Sequence, residues 1–170
     1  MRKWSRRKLN AKIIIDVAAF FSAVEMQHSS SPKVARGLSF CALAMLYSVM
    51  LVGVYISSSN QGLSCHEWPL CPNGFGLPSE KHFFEHYHRV MVVITAGLIF
   101  AAAAYSFTKF KPARKTAIIA AIVISVQILF GMLVVTTNLE PLLVATHLST
   151  GILLFAMTLM TFLASYKVGP

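Results

Sequence analysis

Charged residues are scarce in this sequence. They make up only 12% of the 170 residues, whereas 56% are hydrophobic and the mean hydropathy is +0.65. Soluble domains carry roughly a quarter charged residues, so this composition argues against a water-soluble fold. The chain therefore reads as an integral membrane protein.

Long polar stretches are equally scarce after the first 35 residues. A bilayer core about 30 Å thick needs roughly 20 mostly apolar residues per helix. Four stretches meet this requirement, at about 37–57, 84–107, 116–137 and 141–166. Together they leave no room for a separate soluble domain. The predicted fold class is an all-α, up-down bundle of four transmembrane helices.

Acidic residues are few, six against fifteen basic residues, and the net charge is +9. Eight basic residues lie at or before Arg36, four lie in 109–115, and Lys167 follows the last span. If the helices alternate in direction, these thirteen fall on one side of the membrane, and Lys81 and Arg89 on the other. This positive-inside bias predicts that both termini are cytoplasmic (N-in, C-in), and it accounts for the charge without nucleic acid.

The sequence divides into two parts. Residues 1–35 are predicted to be a basic, amphipathic cytoplasmic segment, although a disordered tail, a transit peptide or an artefact of start-site choice stays open. Residues 36–170 are predicted to form the four-helix transmembrane domain, with a long outer loop at about 58–83. Loops of this length are usually functional or disordered.

Two histidines lie at matched positions within the spans. His88 is about four residues into the second span and His147 about six into the fourth, which places both roughly 6 to 9 Å below the outer membrane surface. Ionisable residues inside a membrane are expensive and are functional candidates by default. The second and fourth helices of an up-down bundle are diagonal neighbours, roughly 11–14 Å apart if adjacent axes lie about 8–10 Å apart.

Two inward imidazoles across that gap could bind one metal ion, and a bis-histidine haem fits because a planar macrocycle can occupy the interior around the iron. A pair of hydrogen-bonded histidines without a cofactor is the alternative, and His82 with His86 could instead hold a surface metal. Each span also contains a glycine, which either allows close helix packing or leaves clearance for a flat ring. Gly151, one turn from His147, is where such a ring would need space.

Glu85 precedes His88 by three residues and so shares its helix face. A carboxylate at the rim of an apolar site can move protons. Alternatively, Glu85 is a helix-start residue paired with Arg89 at i+4. Pairing of Arg89 with a haem propionate is a further alternative, since a guanidinium matches carboxylate geometry.

Cys65 and Cys71 lie close together in the outer loop. That side of the membrane is oxidising in bacteria, so a structural disulfide is the default prediction. A redox-active or reductively controlled pair stays open. The spacing differs from the C-x-x-C of thioredoxin-like enzymes.

These residues resemble those of the haem A synthases. Residues 62–71 read GLSCHEWPLC, similar to the family's G-L-S-C-P-D-W-P-x-C, although His66 and Glu67 depart from it. Residues 85–89 match E-x-x-H-R. Residues 127–148 resemble Q-x-x-x-G, V-T, L-x-P and H-L in that order. The resemblance covers about 37–166.

The resemblance implies a membrane oxidoreductase that converts the C8 methyl of haem O to the formyl of haem A. It implies that His88 and His147 are axial ligands of the haem iron, that Glu85 is the catalytic carboxylate and that Cys65 and Cys71 form the outer-loop cysteine pair. It also implies a haem b cofactor, a membrane electron donor or acceptor, and a haem O synthase that supplies substrate. The expected location is a prokaryotic plasma membrane, with the active site toward the outer face.

Most members of that family have eight helices in two related halves, each with a histidine pair. Only one half is present here, so the resemblance predicts a homo-oligomer, most simply a dimer. Two other functions stay open: a bis-histidine b-type cytochrome that only carries electrons, and a thiol–quinone oxidoreductase, which the lack of a second outer-loop cysteine pair disfavours. A non-catalytic haem-binding assembly factor is disfavoured only by the resemblance.

Overall fold

The computed structural model describes residues 32–65, 67–69, 71, 76 and 80–166, and four long helices dominate them. They are α1 (Pro32–Ser58), α2 (Phe83–Thr108), α3 (Arg114–Thr136) and α4 (Pro141–Ala164). Two short 3₁₀ turns, Glu80–His82 and Lys111–Ala113, precede α2 and α3. The predicted outer loop lies only partly within the described residues, and the predicted segment 1–35 lies almost entirely outside them.

All four helices are long and apolar enough to cross a membrane. Large apolar side chains of these helices are exposed to a degree that is unusual for a soluble bundle. Val93 and Leu142, for example, are more than half exposed. Water would make such surfaces costly, whereas lipid tails match them. The predicted all-α membrane bundle is therefore confirmed.

Each helix packs against the next one in the chain, and α1 also packs against α4, which closes the ring. This arrangement places α2 and α4 diagonally. The central contacts are made by small and branched residues from all four helices: Ala42, Leu46, Ala96, Ile99, Ala120, Ile124 and Leu154. Alanines on α1, α2 and α3 let the backbones approach closely, as is common in membranes.

The ends of the helices follow from local chemistry. Pro141 begins α4, where its missing N–H costs nothing, and the Glu140 carboxylate accepts a hydrogen bond from the Leu143 N–H at 2.8 Å. Asn138 and Leu139 turn the chain with φ of 56° and 64°. The first helix, α1, begins at Pro32, before the predicted start of the first span at about residue 37 and within the predicted segment 1–35. Proline is well suited to a first helical turn.

Candidate functional site

His88 lies on α2 and packs against α1. A Cβ atom placed on Gly53 would lie 3.1 Å from its Cε1 atom, so the ring occupies space that any other residue at position 53 would fill. The backbone carbonyl of Val49, one turn before Gly53, is within hydrogen-bonding reach of the imidazole. The Nδ1 atom of His88 is buried and has no hydrogen-bond partner. One ring nitrogen therefore has no hydrogen-bond partner in the protein.

His147 lies on α4 and packs against α3 in a matching way. A Cβ atom on Gly131 would lie 3.4 Å from its Cε1 atom, and its Nδ1 is also buried without a partner. Gln127, one turn before Gly131, takes the place that Val49 has beside His88. Its Nε2 lies 3.4 Å from the His147 Nε2.

Gln127 also joins α3 to the backbone of α4. Its Nε2 donates to the His147 carbonyl at 2.9 Å, and the Thr150 hydroxyl donates to its Oε1. A Cβ atom on Gly151 would lie 3.2 Å from the Gln127 Nε2. The clearance predicted at Gly151 for a flat ring is thus used here by the glutamine side chain.

The two histidines belong to one site. His88 is the sixth residue of α2 and His147 the seventh of α4, and both helices start at the same end of the bundle. The two imidazoles are near enough for a charge on His147 to act on His88. Each helix pair, α1 with α2 and α3 with α4, thus offers one imidazole seated on a glycine.

Two imidazoles from different helices could hold a haem iron between them. Each has a buried Nδ1 atom without a hydrogen-bond partner, and buried polar groups normally find a partner. Zinc would need further ligands, and the described residues contain no cluster of three or more His, Cys, Asp or Glu side chains. The surface metal considered for His82 and His86 has no third donor within that part of the chain.

Glu85 lies one turn before His88 and is only 5% exposed. Its carboxylate accepts three hydrogen bonds: from the Ser64 hydroxyl at 2.8 Å, the Cys65 N–H at 2.9 Å and the Arg89 guanidinium at 2.6 Å. Arg89 also donates to the Cys65 carbonyl at 2.9 Å and to the carbonyl of Glu67. We call Ser64, Cys65, Glu85 and Arg89 the loop clamp, since together they fasten the outer loop to α2.

The clamp bears directly on the roles predicted for Glu85 and Arg89. The structure places the two side chains in the i, i+4 ion pair that the sequence allowed. The Arg89 donors are directed at Glu85 and at loop carbonyls, so a haem propionate would have to compete with them. Sequence reasoning missed the contacts with Ser64 and Cys65, because no local pattern shows that this loop folds back on α2.

Cys65 and Cys71 are 1% and 3% exposed, and their Cα atoms lie 5.5 Å apart. Disulfides usually span 4.4–6.8 Å between Cα atoms. Cys41 is exposed on α1 and takes no part in this pair. The pair lies beside the clamp, because Cys65 contributes both its N–H and its carbonyl to it.

Comparison with known proteins places this site in a family. Residues 77–169, which include α2, α3 and α4, match the COX15-CtaA family, described as cytochrome oxidase assembly protein. The chain belongs to this family. Both histidines, Glu85, Arg89 and Gln127 fall within the match, whereas α1 and the cysteine loop precede it.

Two curated relatives are similar over a larger part of the chain. Both are named heme A synthase, one from Alkalihalophilus pseudofirmus with 27% identity and one from Bacillus licheniformis with 26% identity. Each similarity covers 79% of this chain, but only 47% and 48% of the respective relatives. The chain thus spans about half the length of the curated relatives it matches.

Proposed function

We propose that this chain is a haem A synthase-type membrane oxidoreductase that oxidises the C8 methyl of haem O to the formyl of haem A. The two curated relatives carry that name, and the family match includes every proposed site residue except the cysteines. The observation that carries the proposal is the pair of imidazoles at one end of the bundle. Each packs against a glycine of a neighbouring helix, and each has a buried Nδ1 atom without a hydrogen-bond partner.

His88 and His147 are the proposed axial ligands of a haem iron. When bound, that iron supplies the redox chemistry that oxidation of an unactivated methyl group requires. The protein fixes the two rings. Gly53 and Gly131 leave space for them, while Val49 and Gln127 provide polar neighbours that orient them, as outer partners of metal-bound histidines commonly do.

Glu85 is the proposed catalytic carboxylate, with the role of moving a proton at the rim of the haem site. Its two oxygens are engaged by Ser64, Cys65 and Arg89. Ser64 and Cys65 both donate to Oε2, whereas Arg89 donates to Oε1. Because the two donors to Oε2 belong to the outer loop, a displacement of that loop would free Oε2 while Arg89 stays on Oε1.

We further propose a Cys65–Cys71 disulfide that holds this loop in its clamped shape. Among the described residues it lies at the end of the bundle opposite Lys33, Arg36, Lys109, Lys111, Arg114 and Lys115, and by the positive-inside rule this supports an outer-side position. The proposed location is a prokaryotic plasma membrane with cytoplasmic termini. Oxidising conditions there favour the disulfide.

One copy of the chain contains one histidine pair, whereas the proposed reaction needs a site for a haem b cofactor and a site for haem O. Two copies would supply both sites, so the proposed active form is a homo-oligomer. A membrane electron donor or acceptor and a haem O synthase are the proposed partners. The first carries away or delivers electrons, and the second supplies substrate.

The test is to express the full chain in cells that make haem O but no haem A, and to identify the extracted haems by chromatography and mass. We expect haem b, haem O and haem A in the wild-type membranes. His82→Ala is the matched control, since that histidine lies outside α2, and it should leave haem A unchanged. Haem b alone would identify an electron-carrying cytochrome. If the chain binds no haem and its oxidoreductase activity is lost on Cys65→Ser substitution, the thiol–quinone alternative is indicated.

A further inference from the structure

A second feature of the bundle lies far from the histidines, on the lipid-facing side between α2 and α3. A groove of about 470 Å³ runs there, and its walls are apolar. The residues from α2 recur at helical spacing, so they form one face of that helix. Side chains of both helices line the groove, among them Phe100, Ala104 and Phe107 from α2 and Ile118, Ala121 and Ile122 from α3.

An arginine stacks on one of the aromatic rings that line the groove. The Arg114 guanidinium lies 4.1 Å from the centre of the Phe107 ring, and Phe107 is itself a wall of the groove. Stacking on a ring uses the face of a guanidinium and leaves its in-plane N–H donors free. No acceptor within the described residues receives a hydrogen bond from it. Arg36, at the same end of the bundle, differs because it donates to the Ser165 carbonyl at 3.2 Å.

The surroundings of Arg114 are strongly basic. Lys111 and Lys115 are exposed beside it. The carboxylates in the described part of the chain all lie at the opposite end: Glu67, Glu80, Glu85 and Glu140. The mouth of the groove therefore has positive charge, and no carboxylate of the described residues lies at that end of the bundle to offset it.

We infer that this groove binds one anionic phospholipid, with an acyl chain along α2 and α3 and the phosphate on Arg114. The mostly apolar lining suits an acyl chain, and the arginine fork matches phosphate oxygens. Basic pockets between transmembrane helices are known to hold anionic headgroups. This inference rests on the membrane fold and on these contacts, and it does not depend on haem chemistry.

The experiment uses the full chain, purified in mild detergent and stripped of lipid. It is then mixed with equal amounts of dioleoyl phosphatidylglycerol and dioleoyl phosphatidylcholine, and native mass spectrometry counts the lipids retained. We expect wild-type chain to keep one phosphatidylglycerol in preference to phosphatidylcholine. Arg114→Gln should lower that preference about five-fold, the effect of removing one cation near a headgroup. Ala104→Phe, which fills the groove from its exposed side, should reduce retention of both lipids.

Two control variants match these changes outside the groove. Lys33→Gln removes an exposed cation at the same end of the bundle, and Ala44→Phe enlarges an exposed alanine on α1. Both should behave as wild type, and circular dichroism should show equal helix content in all variants. Equal retention of the two lipids by wild type, or equal effects of Arg114→Gln and Lys33→Gln, would overturn the inference. A two-chain mass without lipid, converted to one chain by Ala104→Phe, would instead identify a second copy as the occupant.

Discussion

Replacing Glu85 by glutamine separates the two roles that its position allows. The carboxylate is the acceptor for three donors, from Ser64, Cys65 and Arg89. Glutamine keeps one carbonyl oxygen but presents an NH₂ group in place of the second oxygen. The NH₂ group is itself a donor, so a donor of the loop clamp meets it where the carboxylate offered an acceptor. The negative charge that attracted Arg89 is also removed. The variant should therefore loosen the loop clamp without changing side-chain size.

The magnitude follows from the kind of bonds lost. A hydrogen bond to a charged group contributes about 1.5–3 kcal/mol. The side chains of Arg89 and Glu85 are 12% and 6% exposed, so solvent screens the pair only slightly and a value near the middle of that range, about 2 kcal/mol, is appropriate. This corresponds to roughly a 30-fold rise in the fraction of chains whose loop is undocked. Hydrogen exchange at the Cys65 amide, whose N–H is bound to Glu85, should accelerate by that factor.

Two matched variants show whether the carboxylate does more than hold the loop. Arg89→Gln weakens the clamp but keeps the carboxylate, and Ser64→Ala removes one donor at a cost of about 1 kcal/mol. If Glu85 moves protons, Glu85→Gln should retain haem and its visible spectrum yet stop at haem O or a hydroxylated intermediate. Arg89→Gln should still make some haem A. Equal haem A production by Glu85→Gln and Arg89→Gln would show that Glu85 acts only in the loop clamp. If Glu85→Gln makes haem A at the wild-type level and the hydrogen exchange of the Cys65 amide is unchanged, both roles are refuted.

Four further outcomes are expected. His88→Ala and His147→Ala should each abolish the low-spin haem spectrum while the helices remain inserted; an unchanged Soret band in either variant would remove that residue from the ligand set. Gln127→Leu should lower the stability of the α3–α4 contact by about 1 kcal/mol and shift the electron paramagnetic resonance of the ferric haem, and identical spectra and melting would contradict a positioning role. Cys65 and Cys71 should resist thiol labelling in native membranes until a reductant is added, so two freely labelled thiols would exclude the disulfide. Mass measurement in mild detergent should show an oligomer, and a fully active monomer would contradict the two-copy arrangement.

The bundle was predictable because its strongest determinants are local. Apolar runs long enough to cross a bilayer, separated by Pro112 and by the turn before Pro141, identify four helices without any knowledge of their packing. The shared depth of His88 and His147 follows from counting residues along two parallel helices. Both predictions depend on spacing within one helix, and spacing is what a sequence states directly.

The surroundings of the histidines could not be predicted in the same way. Val49 and Gly53 meet His88 only because α1 and α2 pack at one particular register, and Gln127 reaches His147 for the same reason between α3 and α4. Register depends on the sum of many weak contacts along the interface. The sequence offered two explanations for the glycines, close helix packing and clearance for a flat haem ring. The structure shows close contacts of Gly53 and Gly131 with the histidine rings and of Gly151 with Gln127, and clearance for a haem stays a prediction.

The loop clamp and the histidine pair indicate which property of the protein would need more than one copy of the chain. Both imidazoles and all members of the clamp come from one chain, so each copy contains a complete candidate haem site and a complete rim. A second copy is therefore not required to bind the first haem. A second copy is required only if the cofactor haem and the substrate haem must be bound at the same time. The proposed reaction implies this, because it needs one site for each haem. Haem binding by one copy and haem A production by an assembly are then separate properties, and weakening the contact between copies should reduce the second while leaving the first intact.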